Sequence, residues 1–403
     1  MNPIKRWLSD AKAQPGLIYV DTCDGLRTMA VLIVAWFHIW QQSWLFPGLT
    51  LFGHDISLDP LVRSGYIWVD MMILISGFCL YLLWARMREE GGKPMRPLDF
   101  YVRRFVRIHP SYLLTIAIMF AVAMATNAYY YREHMIRDLV SHLTYTHMFF
   151  YDAYYSSNLG GALWTLAIEM QFYLLFPLIA RAFYKLPTTT FAVMVAISLS
   201  FRGWVSVNVK DVALYFNQLP AYLDTFALGM MAANIHVWLS RKTHNALTRV
   251  LCSALSVWML ALIWQVVRRQ AGNPNVELIR LGQMSNRLSM GMLGAAFLVF
   301  SANAGLVLHR ILGNPLTKFF SGISFQFYIW HQTIAVWLIT YKVIPSAYEN
   351  PNWEGDPVWQ MNYTIACFAI SILIAAAITD GFERPIARKL QAMWNARRAK
   401  KGD

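Results

Sequence analysis

Arg27 and His38 stand eleven residues apart in the apolar stretch LRTMAVLIVAWFH. At about 100° per residue, eleven helical steps return to within about 20° of the starting direction, so the two side chains share a face roughly 16.5 Å apart along the axis. Ionisable groups inside a bilayer are costly and by default mark a substrate path or a catalytic site. A neutral imidazole held there can take the proton of a hydroxyl as its oxygen attacks a carbonyl. A guanidinium farther along the same face can steer or hold an anionic co-substrate, or pair with Asp24 as an anchor.

A second cationic group lies in FYVRRFVRIHP. Spacings of three and four put Arg103 or Arg104 beside Arg107 on one helical face. Guanidinium forks bind phosphate oxygens bidentately, so this cluster suits a phosphorylated ligand as well as it suits topological anchoring. Further ionisable residues interrupt apolar stretches: Asp70, Glu169, Asp224, Arg287 and His331. Several of these fall at related depth with His38, as the lining of one chamber would. Asp70, Asp224 and Arg287 serve equally as helix-locking pairs. Trp164 and Trp330 offer flat faces that could stack on a sugar or pack at an interface.

The elements that must carry these residues are membrane helices. The chain has 403 residues, is 57% hydrophobic and 14% charged, and has a mean hydropathy of +0.38, far from an ordinary soluble domain. Its 16 Trp and 20 Tyr suit aromatic belts at the headgroups. Stretches able to cross about 30 Å of hydrocarbon recur near 25–45, 66–85, 109–127, 162–181, 188–205, 218–238, 248–268, 283–303, 318–341 and 361–381. The fold class expected is all-α: a polytopic membrane protein of about ten transmembrane helices. Residues 1–382 form the bundle and 383–403 a basic cytoplasmic tail, lying at the membrane surface or disordered. The least regular span is the fifth, which contains Arg202. The aromatic YTHMFFYDAYY before the fourth reads alternatively as a partly buried external loop.

Lys and Arg concentrate before the first span (Lys5, Arg6, Lys12), from Arg86 to Arg107, and from Arg384 to Lys401. By the positive-inside rule both termini are cytoplasmic, in an inner membrane crossed many times. Orientation and anionic headgroups account for most of the net charge of +13, and no nucleic-acid module accompanies it. The basic N-terminus runs into a full-length span, unlike a cleaved signal peptide. Cys23, Cys79, Cys252 and Cys367 are scattered, without a CxxC pair, and read as ordinary packing. No metal-binding or nucleotide motif is present, so no metal is expected.

The local strings resemble those of acyltransferase family 3, integral membrane proteins that transfer acyl groups to carbohydrates and related acceptors. DGLRTMAVLIVAWFH is similar to that family's opening Arg, ten residues, His signature; VDMMILISGF to its second-span pattern; and FYVRRFVRIHPSYLL to its basic RxxR motif. LWTLAIEMQFYLLFP, with Trp164, Glu169 and Tyr173, and ISFQFYIWHQ, with Trp330 and His331, resemble two later strings, and FERP the terminal one. Met170 departs from the family pattern, where a second acidic residue is common.

The resemblance implies cytoplasmic acyl-CoA, with acetyl-CoA the commonest donor, gripped by Arg103, Arg104 and Arg107. It implies His38 as general base with Arg27 and Glu169 as catalytic partners, Glu169 orienting His38 or binding the acceptor. Asp70, Trp164, Tyr173, Trp330 and His331 would contact a carbohydrate or glycolipid acceptor amid membrane lipids. An acyl-histidine intermediate is an alternative to direct transfer. Some family members add an extracytoplasmic hydrolase-like domain, for which this chain offers no room, so a partner protein could handle the acceptor. Two other readings fit the same residues: a transporter or flippase for a lipid-linked sugar or acyl compound, and acylation of a small molecule such as an antibiotic.

Overall fold

The computed structural model describes residues 19–92, 95–210, 212–242 and 245–401; Lys5, Arg6 and Lys12 lie outside them. Ten long helices follow in order: α1 (Thr22–Ser43), α2 (Val69–Glu90), α3 (Pro97–Ala125), α4 (Trp164–Lys185), α5 (Pro187–Asn208), α6 (Leu223–Ser240), α7 (Ala246–Ala271), α8 (Val276–Ala302), α9 (Pro315–Thr340) and α10 (Pro357–Ile378). One π-helical turn, Thr379–Glu383, leads into α11 (Arg384–Lys401). Each expected span falls on one of α1 to α10. The chain is an all-α polytopic membrane protein.

Seven helices, α1 to α5, α7 and α10, are individually long and apolar enough to cross a bilayer, and α8 qualifies only with the short helix Leu306–Leu312, bent from it by 118°. The two long helices outside that set, α6 and α9, carry Asp224 and His236, and Ser321, Ser324, Gln326 and His331. Their polar residues are largely buried within the protein, where neighbouring helices rather than lipid tails surround them.

Local sequence fixes several ends. Pro97, at the first turn of α3, has no N–H to leave unpaired. The helix therefore starts well before the expected 109 and includes RRFVR. Asn245, Asn275 and Asn314 cap α7, α8 and α9 by accepting from the backbone N–H three residues on. In the loop between α1 and α2, Gly48–Leu51 pairs antiparallel with His54–Ser57 across Phe52 and Gly53, whose positive φ values of 50° and 78° form a tight hairpin turn. YTHMFFYDAYY is a loop of short turns, with a 3-10 turn at His147–Phe149 and one helical turn at Tyr151–Tyr155.

Two kinds of contact hold the bundle. Helices α2 and α6 touch backbone to backbone: a Cβ on Gly229 would lie 2.2 Å from the Leu74 carbonyl oxygen, and one on Gly77 2.6 Å from that of Phe226. Small residues permit such approach, and dispersion rewards it. Buried ions join α2, α5, α6 and α8. Arg287 meets Asp70 at 3.3 Å, the Phe216 carbonyl at 2.7 Å and the Tyr222 hydroxyl at 2.8 Å. Arg202 meets Asp224 at 2.6 Å and shares the Ala221 carbonyl with Arg287. Arg202 is thus paired rather than exposed to lipid.

The tail, expected at the membrane surface or disordered, is helical. Along α11, Trp394 and Arg398 each donate to Asp99 at 3.0 Å, tying the tail to the first turn of α3.

Candidate active site

Helices α1 and α9 run side by side in the same direction. Thr28 donates to the Thr317 carbonyl at 3.0 Å near one end, and His38 lies beside His331 near the other, with ring centroids 5.2 Å apart. Arg27 and His38 thus both face α9, as their spacing implied. Between these points Ser321 donates to Asp24 at 2.6 Å and accepts from Arg27 at 3.5 Å. Asp24 also accepts from Tyr19.

Arg27 stands where two cavities meet. The larger, about 640 Å³, is lined by Arg27, Arg103, Arg104, Arg107, Tyr19 and Asp24, among others, a size usual for small-molecule sites. The smaller, about 120 Å³, shares Arg27, Cys79, Leu80, Arg104 and Arg107 with it and adds Ser76, Glu169, Tyr173 and Tyr328. Among the described residues, none of the four arginines lies within ion-pair distance of a carboxylate. Arg104 instead places its guanidinium 5.7 Å from the ring centroids of Phe100 and Tyr173, its Nε shielded from solvent and unpartnered. Four cations facing one cavity, with Asp24 the lone carboxylate on its wall among the described residues, make an anion site.

Glu169 accepts from Ser76 at 2.7 Å and from Tyr173 at 3.0 Å. It lines the smaller cavity and its bonds go to these two hydroxyls, not to His38. His38 has its own partner: Nδ1 lies 3.1 Å from Gln41 Oε1. His331 is fully buried, with Nδ1 3.1 Å from the Phe327 carbonyl oxygen. Tyr328 connects the parts, since it lines the smaller cavity and packs on His331 with centroids 5.6 Å apart. From the larger cavity inward, the order is arginine cluster, Glu169 pocket, His331, His38.

Five expected residues line neither cavity: His331 and His38, which lie behind Tyr328, and three that stand farther apart, Asp70, Trp164 and Trp330. Asp70 is committed to Arg287. Trp164 packs near Tyr222, centroids 6.1 Å apart, and Trp330 is buried near Trp337. Conversely, Ser76 and Cys79 line the site without having been singled out for chemistry. Ser76 sat in the ISGF string. Cys79, read as packing, is exposed, with Arg27 Nη2 3.8 Å from its sulfur. On α2 only the helix register relative to Arg27 could have revealed it.

A family model described as an acyltransferase domain matches residues 20–376. The chain is 23% identical over 349 residues to SACOL0978 of Staphylococcus aureus (strain COL), named provisionally as an O-acetyltransferase, covering 81% of this chain and 52% of that protein. It is 24% identical over 203 residues to the peptidoglycan O-acetyltransferase OatA of Listeria monocytogenes, covering 47% of this chain and 29% of that protein. ORF330 of Acidianus two-tailed virus, named provisionally as an acetyltransferase, is 25% identical over 309 residues, 76% of this chain and 80% of that protein. The chain spans about half the length of the Staphylococcus relatives it matches. No solved structure matches.

Proposed function

The chain belongs to this acyltransferase family, and from that premise we propose that it carries an acetyl group from cytoplasmic acetyl-CoA to a hydroxyl of an extracytoplasmic or lipid-linked carbohydrate. The observation that carries the reading is the cavity walled by Arg27, Arg103, Arg104 and Arg107, beside which lies a smaller chamber lined by Glu169 and by Tyr328, the ring on which His331 packs. Coenzyme A presents a diphosphate and a ribose phosphate, the chemistry that guanidinium forks grip. The small inner chamber, about 120 Å³, has room for a short acyl group. Names of relatives support acetyl, and one of them acts on peptidoglycan by name, which supports a cell-envelope glycan as acceptor.

In this reading both termini are cytoplasmic and the protein sits in the inner membrane. Acyl-CoA docks from the cytoplasm with its phosphates among the arginines, and the thioester reaches the inner chamber. His38 Nε2 takes the proton of the acceptor hydroxyl as its oxygen bonds to the thioester carbonyl carbon; the carbon–sulfur bond then breaks and CoA leaves. Glu169 fixes Ser76 and Tyr173 at the chamber wall, where their hydroxyls orient the acyl end. Acceptor delivery falls to the bundle or to a partner protein.

The test is acetyl-CoA binding and slow hydrolysis by the purified protein. A charge-assisted hydrogen bond contributes about 1.5–3 kcal/mol, so Arg107→Ala weakens binding about tenfold or more. His38→Ala keeps the affinity and loses about 100-fold or more in turnover. Unchanged affinity in the arginine variant removes the phosphate assignment, and full activity in the histidine variant removes the base. Well-folded protein that binds and turns over no acyl-CoA moves the reading to transport.

A further inference from the structure

Three consecutive residues of α9 carry buried polar atoms without a partner: Trp330 Nε1, His331 Nε2 and Gln332 Oε1. An unpaired polar atom in a protein interior is costly, and native structures keep few of them. His331 is the most constrained of the three, with no exposed surface at all. Its Nδ1 lies 3.1 Å from the Phe327 carbonyl oxygen. A carbonyl only accepts, so Nδ1 carries the hydrogen and Nε2 the lone pair. His38 is held in the same tautomer, Nδ1 donating to Gln41 Oε1 at 3.1 Å.

Two imidazoles therefore sit 5.2 Å apart, tilted by 45°; among the described residues neither Nε2 meets a protein donor, and that of His331 is sealed from solvent as well. One added proton would serve both rings. Their positions differ in a way that matters for chemistry. His331 packs on Tyr328, which lines the chamber that shares Arg27, Arg104 and Arg107 with the arginine cavity, whereas His38 packs on His331 and stands one ring farther from that chamber.

We propose that His331 is a second catalytic imidazole, which takes the acceptor's proton over from His38 and delivers it to the sulfur of the departing CoA. The proposal rests on the donor and base assignments made above. His38 Nε2 removes the hydroxyl proton while the oxygen bonds to the thioester carbonyl carbon. The proton passes to His331 Nε2. The carbon–sulfur bond breaks with its electron pair on sulfur, and the His331 imidazolium protonates that thiolate. The ester and the CoA thiol are formed and both imidazoles return to neutral, so no charge is left enclosed between the helices.

The experiment uses the purified full chain with acetyl-CoA and compares wild type with His331→Gln and His331→Ala. Acetyl-CoA affinity stays within about twofold of wild type, and kcat falls about 100-fold or more. The pH–rate profile of His331→Gln loses one of the wild-type inflections. Added imidazole, which fits the space left in His331→Ala, raises the rate of that variant about tenfold or more and leaves wild type unchanged. Wild-type kcat in either variant overturns the proposal. So does a fall in kcat with a pH profile of unaltered shape and no response to imidazole, the signature of a packing role. Wild-type protein that fails to bind acetyl-CoA overturns the proposed function together with this inference, whereas intact binding with unaffected His331 variants overturns this inference alone.

Discussion

Arg287 and Arg27 are both guanidinium groups in apolar helices, but their surroundings assign them opposite work. Arg287 is fully buried and satisfied by Asp70, two carbonyls and the Tyr222 hydroxyl. Arg27 faces a cavity and, among the described residues, meets a serine hydroxyl and a thiol. Removing one partner of a buried pair leaves an uncompensated charge, at a cost of about 3–5 kcal/mol. Asp70→Ala is therefore expected to lower the unfolding temperature in detergent sharply, while acetyl-CoA affinity at permissive temperature is unchanged. Lost affinity with unchanged stability would return Asp70 to the site. The sequence placed Arg27 and His38 together because both ride one helix, where spacing dictates direction. Asp70 and Arg287 are 217 residues apart, and no periodicity within a single helix reveals which of its polar residues another helix will answer.

The segment between α3 and α4 carries two buried groups that make it sensitive to acidity. Burial pushes the Asp138 carboxyl up, but the hydrogen bond and charge of His142, with the Tyr129 and Ser157 hydroxyls, outweigh it and hold the group below its ordinary value. Burial, then the charge of His142, push His147 well below 6.5. The His142 and His147 rings are stacked at 4.0 Å. Once unfolded, His147 binds a proton near pH 6.5 that the folded loop refuses, so this contribution is complete above that pH and declines on acidification. Asp138 contributes above the ordinary carboxylate range, and its share is lost as pH falls through its depressed value. Hydrogen-exchange protection factors of residues 128–161, which remove the intrinsic pH dependence of exchange, should therefore fall from pH 7 to pH 5, and His147→Phe should flatten most of that dependence; an unchanged slope in the variant would assign it elsewhere. The segment was legible as a loop from its aromatic, polar composition. Its internal histidine pair was not, because stacking across a turn leaves no periodic trace.

At the scale of the molecule, the C-terminal helix folds back onto the start of α3. Trp394 and Arg398 of α11 hold Asp99, one turn before the arginine cluster of α3. Deleting the chain after residue 383 should loosen that turn and weaken acetyl-CoA binding several-fold, and Trp394→Phe should reproduce part of the loss; wild-type affinity in the truncated protein would make α11 a bystander. Hydropathy gave the order and extent of the helices well, since length and apolar content decide what a bilayer accepts. It gave no sign that a strongly basic tail would fold back, because a single carboxylate at the start of α3 makes the difference. The parallel pairing of α1 with α9 joins residues nearly three hundred positions apart: Arg27 and Ser321 are separated by 294. While the ribosome is still making the later helices, the first one waits in the membrane with its histidine facing no second imidazole. On the reading proposed above, such a nascent chain owns its donor-binding arginines long before it owns both histidines.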